Sequence, residues 1–312
     1  MTLNLPEALP VPAARSPQPL LADVGLTPDP RVLLRWVALD WAIIVGAWAT
    51  MATIDRWWIT VIGGGVVASR LHALGAILHD ACHRQRRPDT RLWWLVEALA
   101  GWPITSTIEA MRYHHLRHHA AAGTPKDPYH GTIHARTALR RYLLSLRGAV
   151  LPFWWTLRAI VAPFALMLPA LRTLYGRAFL QDQSGRDLRN NAAVVACARA
   201  DLAQLAAQIV VLGSAFAAEL PVFTYYVCPL ILAGILNARR VVYEHSWVSN
   251  DQRTRQQTWE TTVDHDLGLI GNALFYPHNI GFHRIHHMYP SVSFVHLREL
   301  ADAARRQGAL QM

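Results

Sequence analysis

Three short histidine runs hold the chemistry this chain can do. His79-Asp-Ala-Cys-His83 carries two imidazoles four residues apart, which on a helix share one face about one turn apart. His115-Leu-Arg-His118-His119 and His283-Arg-Ile-His286-His287 share a single spacing (i, i+3 and i+4), again one helical face. His245 stands alone between the second and third runs. Neutral imidazole ligates borderline metals such as iron, zinc and copper. Nine ring systems exceed what one ion can use and divide naturally between two, leaving room for small ligands or oxygen. The chain has no Glu-x-x-His and no His-Glu-x-x-His, which excludes carboxylate-rich bundle sites and zinc-protease sites. The expected site is nearly all nitrogen, with no catalytic side chain separate from the metal ligands.

The neighbours of these runs are candidates for support. Asp80 and Glu244 adjoin ligands and read either as acceptors that orient an imidazole or as solvated or loop-capping carboxylates, while His114 and His278 sit beside the second and third runs. The remaining histidines take ordinary roles: His72 is a packed or hydrogen-bonded residue in an apolar stretch, and His130, His134, His265 and His296 are loop or surface groups. Cys82, Cys197 and Cys228 are far apart and form no Cys-x-x-Cys pair, so no iron–sulfur or zinc-ribbon signal exists. Such sparse cysteine use fits a reducing compartment or a membrane interior.

The elements that position these runs follow from composition. Of 312 residues, 52% are hydrophobic and only 16% charged, against about 25% charged in ordinary soluble domains. Mean hydropathy is +0.15. This combination excludes disordered and coiled-coil classes and points away from a water-soluble globule. A bilayer core needs roughly 20 apolar helical residues. Val32–Ile54 and Trp57–Leu78 meet that length and are joined by Asp55-Arg56, a tight hairpin; Ala192–Ala217 and Pro221–Ala238 form a second. Leu92–Ile108, broken by Gly101 and Pro103, and Leu151–Ala170, with Pro152, Pro163 and Pro169, read as interfacial or re-entrant, with a full span as the alternative for each. The expected fold is all-α: an integral membrane protein of two transmembrane hairpins, about four spans, with interfacial helices and a cap that carries the histidines. Residues 1–30 hold seven prolines and read as an unstructured tail without a cleavable signal peptide, and 31–312 as one domain.

Net charge is +9, and Lys126 is the sole lysine among the 30 basic residues. The Arg-rich segments Arg84–Arg91, Arg112–Arg147, Arg172–Arg189 and Arg239–Arg306 fall on one face if both hairpins dip in and return. The positive-inside rule makes that face cytoplasmic, in a bacterial inner membrane. All the histidine runs lie on it. No basic stripe with interleaved aromatics occurs outside these loops, so nucleic acid is not an expected partner. A metal transporter would carry polar residues through its spans, and apart from Arg70, His72, Arg199 and Asp201 these spans lack them.

The order His79-x-x-x-His83, His115-x-x-His118-His119, His283-x-x-His286-His287 resembles the three histidine boxes of the membrane fatty acid desaturase family. Pro277-His-Asn-Ile-Gly-Phe-His-Arg-Ile-His-His-Met-Tyr-Pro-Ser-Val is similar to that family's third box and following loop. Arg240-Val-Val-Tyr-Glu-His245, with Arg253-Thr-Arg255 after it, resembles bacterial members. The likeness runs from about Leu71 to the C-terminus. It implies a non-haem di-iron oxidoreductase with two iron ions and O2 as co-substrate, desaturating a fatty acyl or lipid-like chain. The related alternative is a hydroxylase or a carotenoid ketolase. It also implies His79, His83, His115, His118, His119, His283, His286 and His287 as box ligands and His245 as the extra one. Electrons would come from an external ferredoxin or cytochrome b5 system, to which an Arg-rich face is suited. Arg284 and Ile285 depart from the pattern, since many members place an acidic residue at the second position. His283 as the first residue of the third box, with no cytochrome b5 domain in the sequence, argues against the front-end subclass. From the residues themselves, Trp93, Trp94, Trp102, Trp154 and Trp155 are candidates to line an apolar tunnel, with interface anchoring the competing role.

Overall fold

The computed structural model describes residues 27–84, 91–130, 137–246 and 254–306. Most of the Pro-rich tail, His134, Arg253 and much of Arg84–Arg91 lie outside the described residues. Those that are described are helical, with no strand beyond an isolated bridge between His245 and Thr262.

Helix α1 (Pro30–Thr53) starts where Asp29 accepts from the Arg31 N–H and Pro30 fills a first-turn position that needs no donor. Its buried residues, Leu33, Val37, Asp40, Ile44 and Met51, form one stripe. That stripe packs on Val67, Leu71, Leu74, Ile77 and Leu78 of α2 (Trp57–Cys82), antiparallel across the turn at Asp55. The outer faces leave Val45, Trp57, Val61 and Ile62 exposed. Helix α3 (Arg91–Val96) continues into a π-turn over Glu97–Gly101 and a 3-10 turn over Trp102–Ile104, so Leu92–Ile108 forms no helix of spanning length. Helix α4 (Ile108–Ala121) is capped by the Thr107 hydroxyl.

Among the described residues, five helices are long and apolar enough to cross a membrane: Pro30–Thr53, Trp57–Cys82, Ala138–Met167, Ala192–Ala217 and Phe223–Glu244. The expectation was about four. The addition comes from Leu151–Ala170, expected to be interfacial. Helix α6 (Leu151–Met167) is joined through a 3-10 turn to α5 (Ala138–Leu146), which makes a run of 30 residues. Pro152 sits in the first turn of α6, where its missing N–H costs little, so it does not end the run. Helix α7 (Pro169–Phe179) leads to α8 (Ala192–Ala217). A turn with Glu219 at φ 55° and a π-turn over Phe223–Val227 then open into α9 (Cys228–Glu244). Four short helices follow: α10 (Arg255–Thr261), α11 (Gly268–Phe275), α12 (His283–Met288) and α13 (Phe294–Arg306).

Two features lock this frame. Where the run over α5 and α6 crosses α9, Gly148 meets Gly234 so closely that a Cβ on either would strike the other's carbonyl. Gly148→Val is therefore expected to destabilise by about 1–3 kcal/mol, the usual range for overpacking. Thermal unfolding in detergent checks it, and an unchanged Tm would contradict the contact. The second feature is a buried ion pair. Arg158 of α6 donates Nε and Nη2 to the two Asp201 oxygens of α8 at 2.7 and 2.9 Å. Tyr175 and Thr107 donate their hydroxyls to the same carboxylate, so one anion ties α6, α7, α8 and the cap of α4 together.

Candidate metal centre

Each histidine run stands where a helix end meets the cap. His79 and His83 close α2, His115, His118 and His119 lie along α4, His245 follows the last turn of α9, and His283, His286 and His287 make up α12. Their rings converge into two groups that could each hold a metal ion. His79, His83, His115, His119 and His286 form one, and His118, His245, His283 and His287 the other, with ligand atoms in each group within 4.8 Å of one another. The runs do not map one to a group. The i+3 and i+4 members of α4 and α12 diverge enough that His118 and His119, and likewise His286 and His287, point to different groups.

The nitrogen geometry fits cations. His119 Nε2 lies 2.8 Å from His115 Nε2 and 3.0 Å from His286 Nε2. His245 Nε2 lies 3.0 Å from His118 Nε2, 3.1 Å from His283 Nε2 and 3.3 Å from His287 Nε2. Imidazoles bound about 2.0–2.1 Å from one ion have nitrogens roughly 3 Å apart. The protonation pattern sharpens the point. His245 Nδ1 donates to the Val241 carbonyl at 2.8 Å, and His118 Nδ1 donates to the Asp127 carboxylate at 2.8 Å. With each Nδ1 engaged in this way, both Nε2 atoms face each other across the group, the arrangement in which each would present a lone pair to a shared cation. His79 Nε2 and His83 Nε2 are buried without a hydrogen-bond partner among the described residues, another mark of a ligand set.

Burial favours the neutral form of seven of these rings. It pushes His83 down to about 3, with Arg112 adding to the effect, and His245 down to about 3, with His118 next in weight. Burial and neighbouring imidazoles hold His115, His119, His283, His286 and His287 well below the usual histidine range. The linkage has a definite sign. Lowered folded-state values mean that the unfolded chain binds more protons below about pH 6.5, so stability is present above that pH and lost as pH falls from there toward 3. Metal-stripped protein is expected to have a lower Tm at pH 5 than at pH 8; equal values would contradict the buried neutral cluster.

The supporting residues are only partly those expected. Asp127, which sequence reasoning missed, is fully buried and accepts from both His118 Nδ1 and the Tyr129 N–H. Burial alone would raise its carboxyl, but His118 and the Tyr129 amide outweigh this and hold it below the usual range. A signal was present: Asp127-Pro128 is an isolated acidic turn in a basic stretch just after the second run. Glu244 lies 3.4 Å from His283 Nδ1 and accepts from Arg240 at 2.6 Å. Of the two roles open to it, Asp80 takes the capping one and accepts from the Ser293 hydroxyl at 2.7 Å and the Phe294 N–H at 2.9 Å, anchoring the start of α13. Adjacent residues on a helix point about 100° apart, so its carboxylate faces away from His79. His278 departs from expectation, pairing with Asp40 at 2.7 Å, outside both groups. His114 bonds Tyr129 Oη at 2.7 Å, and Tyr129 stacks on His118 at 4.3 Å. Of the departures in the third run, Arg284 lies over Trp259 and donates to the Thr262 carbonyl, while Ile285 is in the core.

A cavity of about 150 Å³ reaches this centre. His79, His115, His118, His245 and His283 touch it, so both groups face it. Its walls are mostly apolar, from Leu71 and Gly75 of α2 through Ala233 and Ala238 of α9 to Trp154 and Trp155 of α6. Those two are the tryptophans of the expected five that line it. Trp93 packs in the core beside α2, while Trp94 and Trp102 meet edge to face elsewhere.

Comparison with known proteins agrees with this arrangement. Residues 55–311 match the family model described as fatty acid desaturase. Over 288 residues the chain is 23% identical to a chloroplastic omega-3 fatty acid desaturase of Brassica napus, covering 89% of this chain and 68% of that protein. Over 291 residues it is 22% identical to an Arabidopsis thaliana chloroplastic sn-2 acyl-lipid omega-3 desaturase (ferredoxin), covering 89% of this chain and 62% of the relative. A shorter stretch of 108 residues is 34% identical to an endoplasmic-reticulum omega-3 fatty acid desaturase of Nicotiana tabacum, covering 32% of this chain and 27% of that one. The chain thus spans about two thirds or less of the length of these relatives. With the match extending over most of its residues, the chain belongs to the fatty acid desaturase family.

Proposed function

We propose that this protein desaturates a fatty acyl or lipid-like chain at a centre of two irons, using O2 and electrons from a separate ferredoxin-type carrier. The observation that carries this reading is the pair of histidine groups opening onto one mostly apolar cavity. When bound, iron would supply the oxidising chemistry: the chain –CH2–CH2–, O2, two electrons and two protons become –CH=CH– and two waters. His79, His83, His115, His119 and His286 would hold one iron, and His118, His245, His283 and His287 the other. Asp127 fixes the tautomer of His118 so that Nε2 presents its lone pair, and the Val241 carbonyl does the same for His245. Leu71, Gly75 and Ala233 would lay a methylene stretch beside the groups, and Trp154 and Trp155 would help to exclude water.

Topology supports a membrane-bound centre. The chain leaves the centre at His119 and returns to it at His245, so it must cross a bilayer an even number of times between them. Helices α8 and α9 supply two crossings, which leaves the run over α5 and α6 lying along the membrane face. An exposed stripe of Leu139, Leu143, Leu146, Val150, Phe153 and Leu157 along that run suits this placement. With two hairpins, the positive-inside rule favours the Arg-rich segments and the centre on the cytoplasmic side of a bacterial inner membrane, where an acidic carrier would dock. Expression in a host followed by mass spectrometry of its lipids tests the reaction. A product two hydrogens lighter with a new C=C supports it, whereas a hydroxyl or a ketone contradicts it.

A further inference from the structure

Between His245 and the third histidine run the chain makes an excursion that the metal centre does not use. Its neck is closed by a hydrogen bond from the His265 N–H to the Gly281 carbonyl at 2.8 Å, two residues before His283. The backbones there approach so closely that a Cβ on Gly281 would strike the His265 carbonyl. Inside the neck, Asp266 accepts from the Gly268 N–H and from Asn272, which starts α11. Helix α11 is apolar and unpartnered on its outer face: Leu269 is 89% and Ile270 76% exposed.

The far end of α11 reaches into α2. The Ala273 and Leu274 carbonyls accept from the Ser69 hydroxyl at 3.2 Å, Arg70 also donates to Ala273, and His72 Nε2 lies 3.3 Å from the Phe275 carbonyl. Below them Asp40 of α1 binds Arg70 at 3.1 Å and His278 at 2.7 Å. At 1.5 Å per residue, Ser69–His72 lie about 20 Å along α2 from Trp57, inside a hydrocarbon core roughly 30 Å thick. Carbonyls at that depth have no water and must be satisfied by the protein. That requirement accounts for polar side chains within two otherwise apolar spans.

We propose that residues 265–281 dip into the bilayer, with Leu269 and Ile270 of α11 seated among lipid acyl chains beside the third histidine run. The occupant of this apolar face is lipid and not a protein, because the other end of the same short helix is tied to residues at membrane depth. The excursion thereby fixes the start of α12 against α1 and α2.

Site-directed spin labelling tests this. Leu269→Cys and Ile270→Cys, each in a Cys228→Ser background, are labelled with a nitroxide and reconstituted into phosphatidylcholine vesicles. Collision rates with O2 and with a water-soluble nickel(II) chelate are then measured, with Glu299→Cys on the exposed face of α13 as the aqueous reference. The expected result is an O2-to-nickel ratio several-fold higher at both α11 positions than at Glu299. A nickel-dominated ratio at 269 and 270 would overturn the proposal by placing the face in water. Immobilised labels shielded from both collision agents would overturn it too, by placing a protein surface there.

Discussion

His118→Ala is expected to abolish turnover and to empty one metal group while sparing the other. His118 sits in the group with His245, His283 and His287, its Nε2 is 3.0 Å from His245 Nε2, and its other nitrogen is held by a buried carboxylate. Its removal deletes a ligand and leaves Asp127 as a buried carboxylate without the imidazole that it orients. Loss of an outer partner alone typically costs about 10–100-fold in metal affinity. Asp127→Ala is therefore expected to fall in that range and His118→Ala beyond it. His265→Ala, which lies outside both groups and bonds the Tyr243 carbonyl, should retain the metal. Metal content per chain and product formation across the three variants check the order. Full turnover in His118→Ala would remove this group from the reaction.

The second large effect is on stability. Arg158→Met leaves Asp201 buried, with hydroxyl partners but no counter-charge, and Asp201→Leu strands the Arg158 guanidinium in an apolar layer. Breaking one side of a fully buried ion pair typically costs about 3–5 kcal/mol, and replacing both sides with apolar residues of similar volume is often near neutral. Each single variant is expected to lose much of its folded yield, and Arg158→Met/Asp201→Leu to regain most of it. Thr107 caps α4 and also bonds Asp201, so metal retention should fall with stability in the single variants. Single variants as stable as the parent would show that the four-helix tie contributes nothing.

What was legible in the sequence was what is local. The spacings i+3 and i+4 put the box imidazoles on single helical faces, and the eight histidines they pointed to, with the lone His245, are those that the fold brings together. The division between the groups was not legible, because it depends on how α4 and α12 turn toward each other. Asp127 escaped because its contact is made by a returning loop, not by the helix that bears His118. Asp80 takes its capping role for the opposite reason: adjacency in sequence on a helix is divergence in space. Asp40 and His278 are 238 residues apart, so no local pattern could pair them. The two prolines of α6 suggested a broken segment, yet one sits in a first turn, and the helix continues past Pro163.

The central claim is that the chain carries one centre of two irons built from nine histidines. Anaerobic iron(II) titration of purified, metal-stripped protein tests it most directly, with bound iron counted per chain. Saturation at about two irons per chain is the predicted result, falling to about one in His118→Ala. Saturation at one or none in the parent protein would contradict the account.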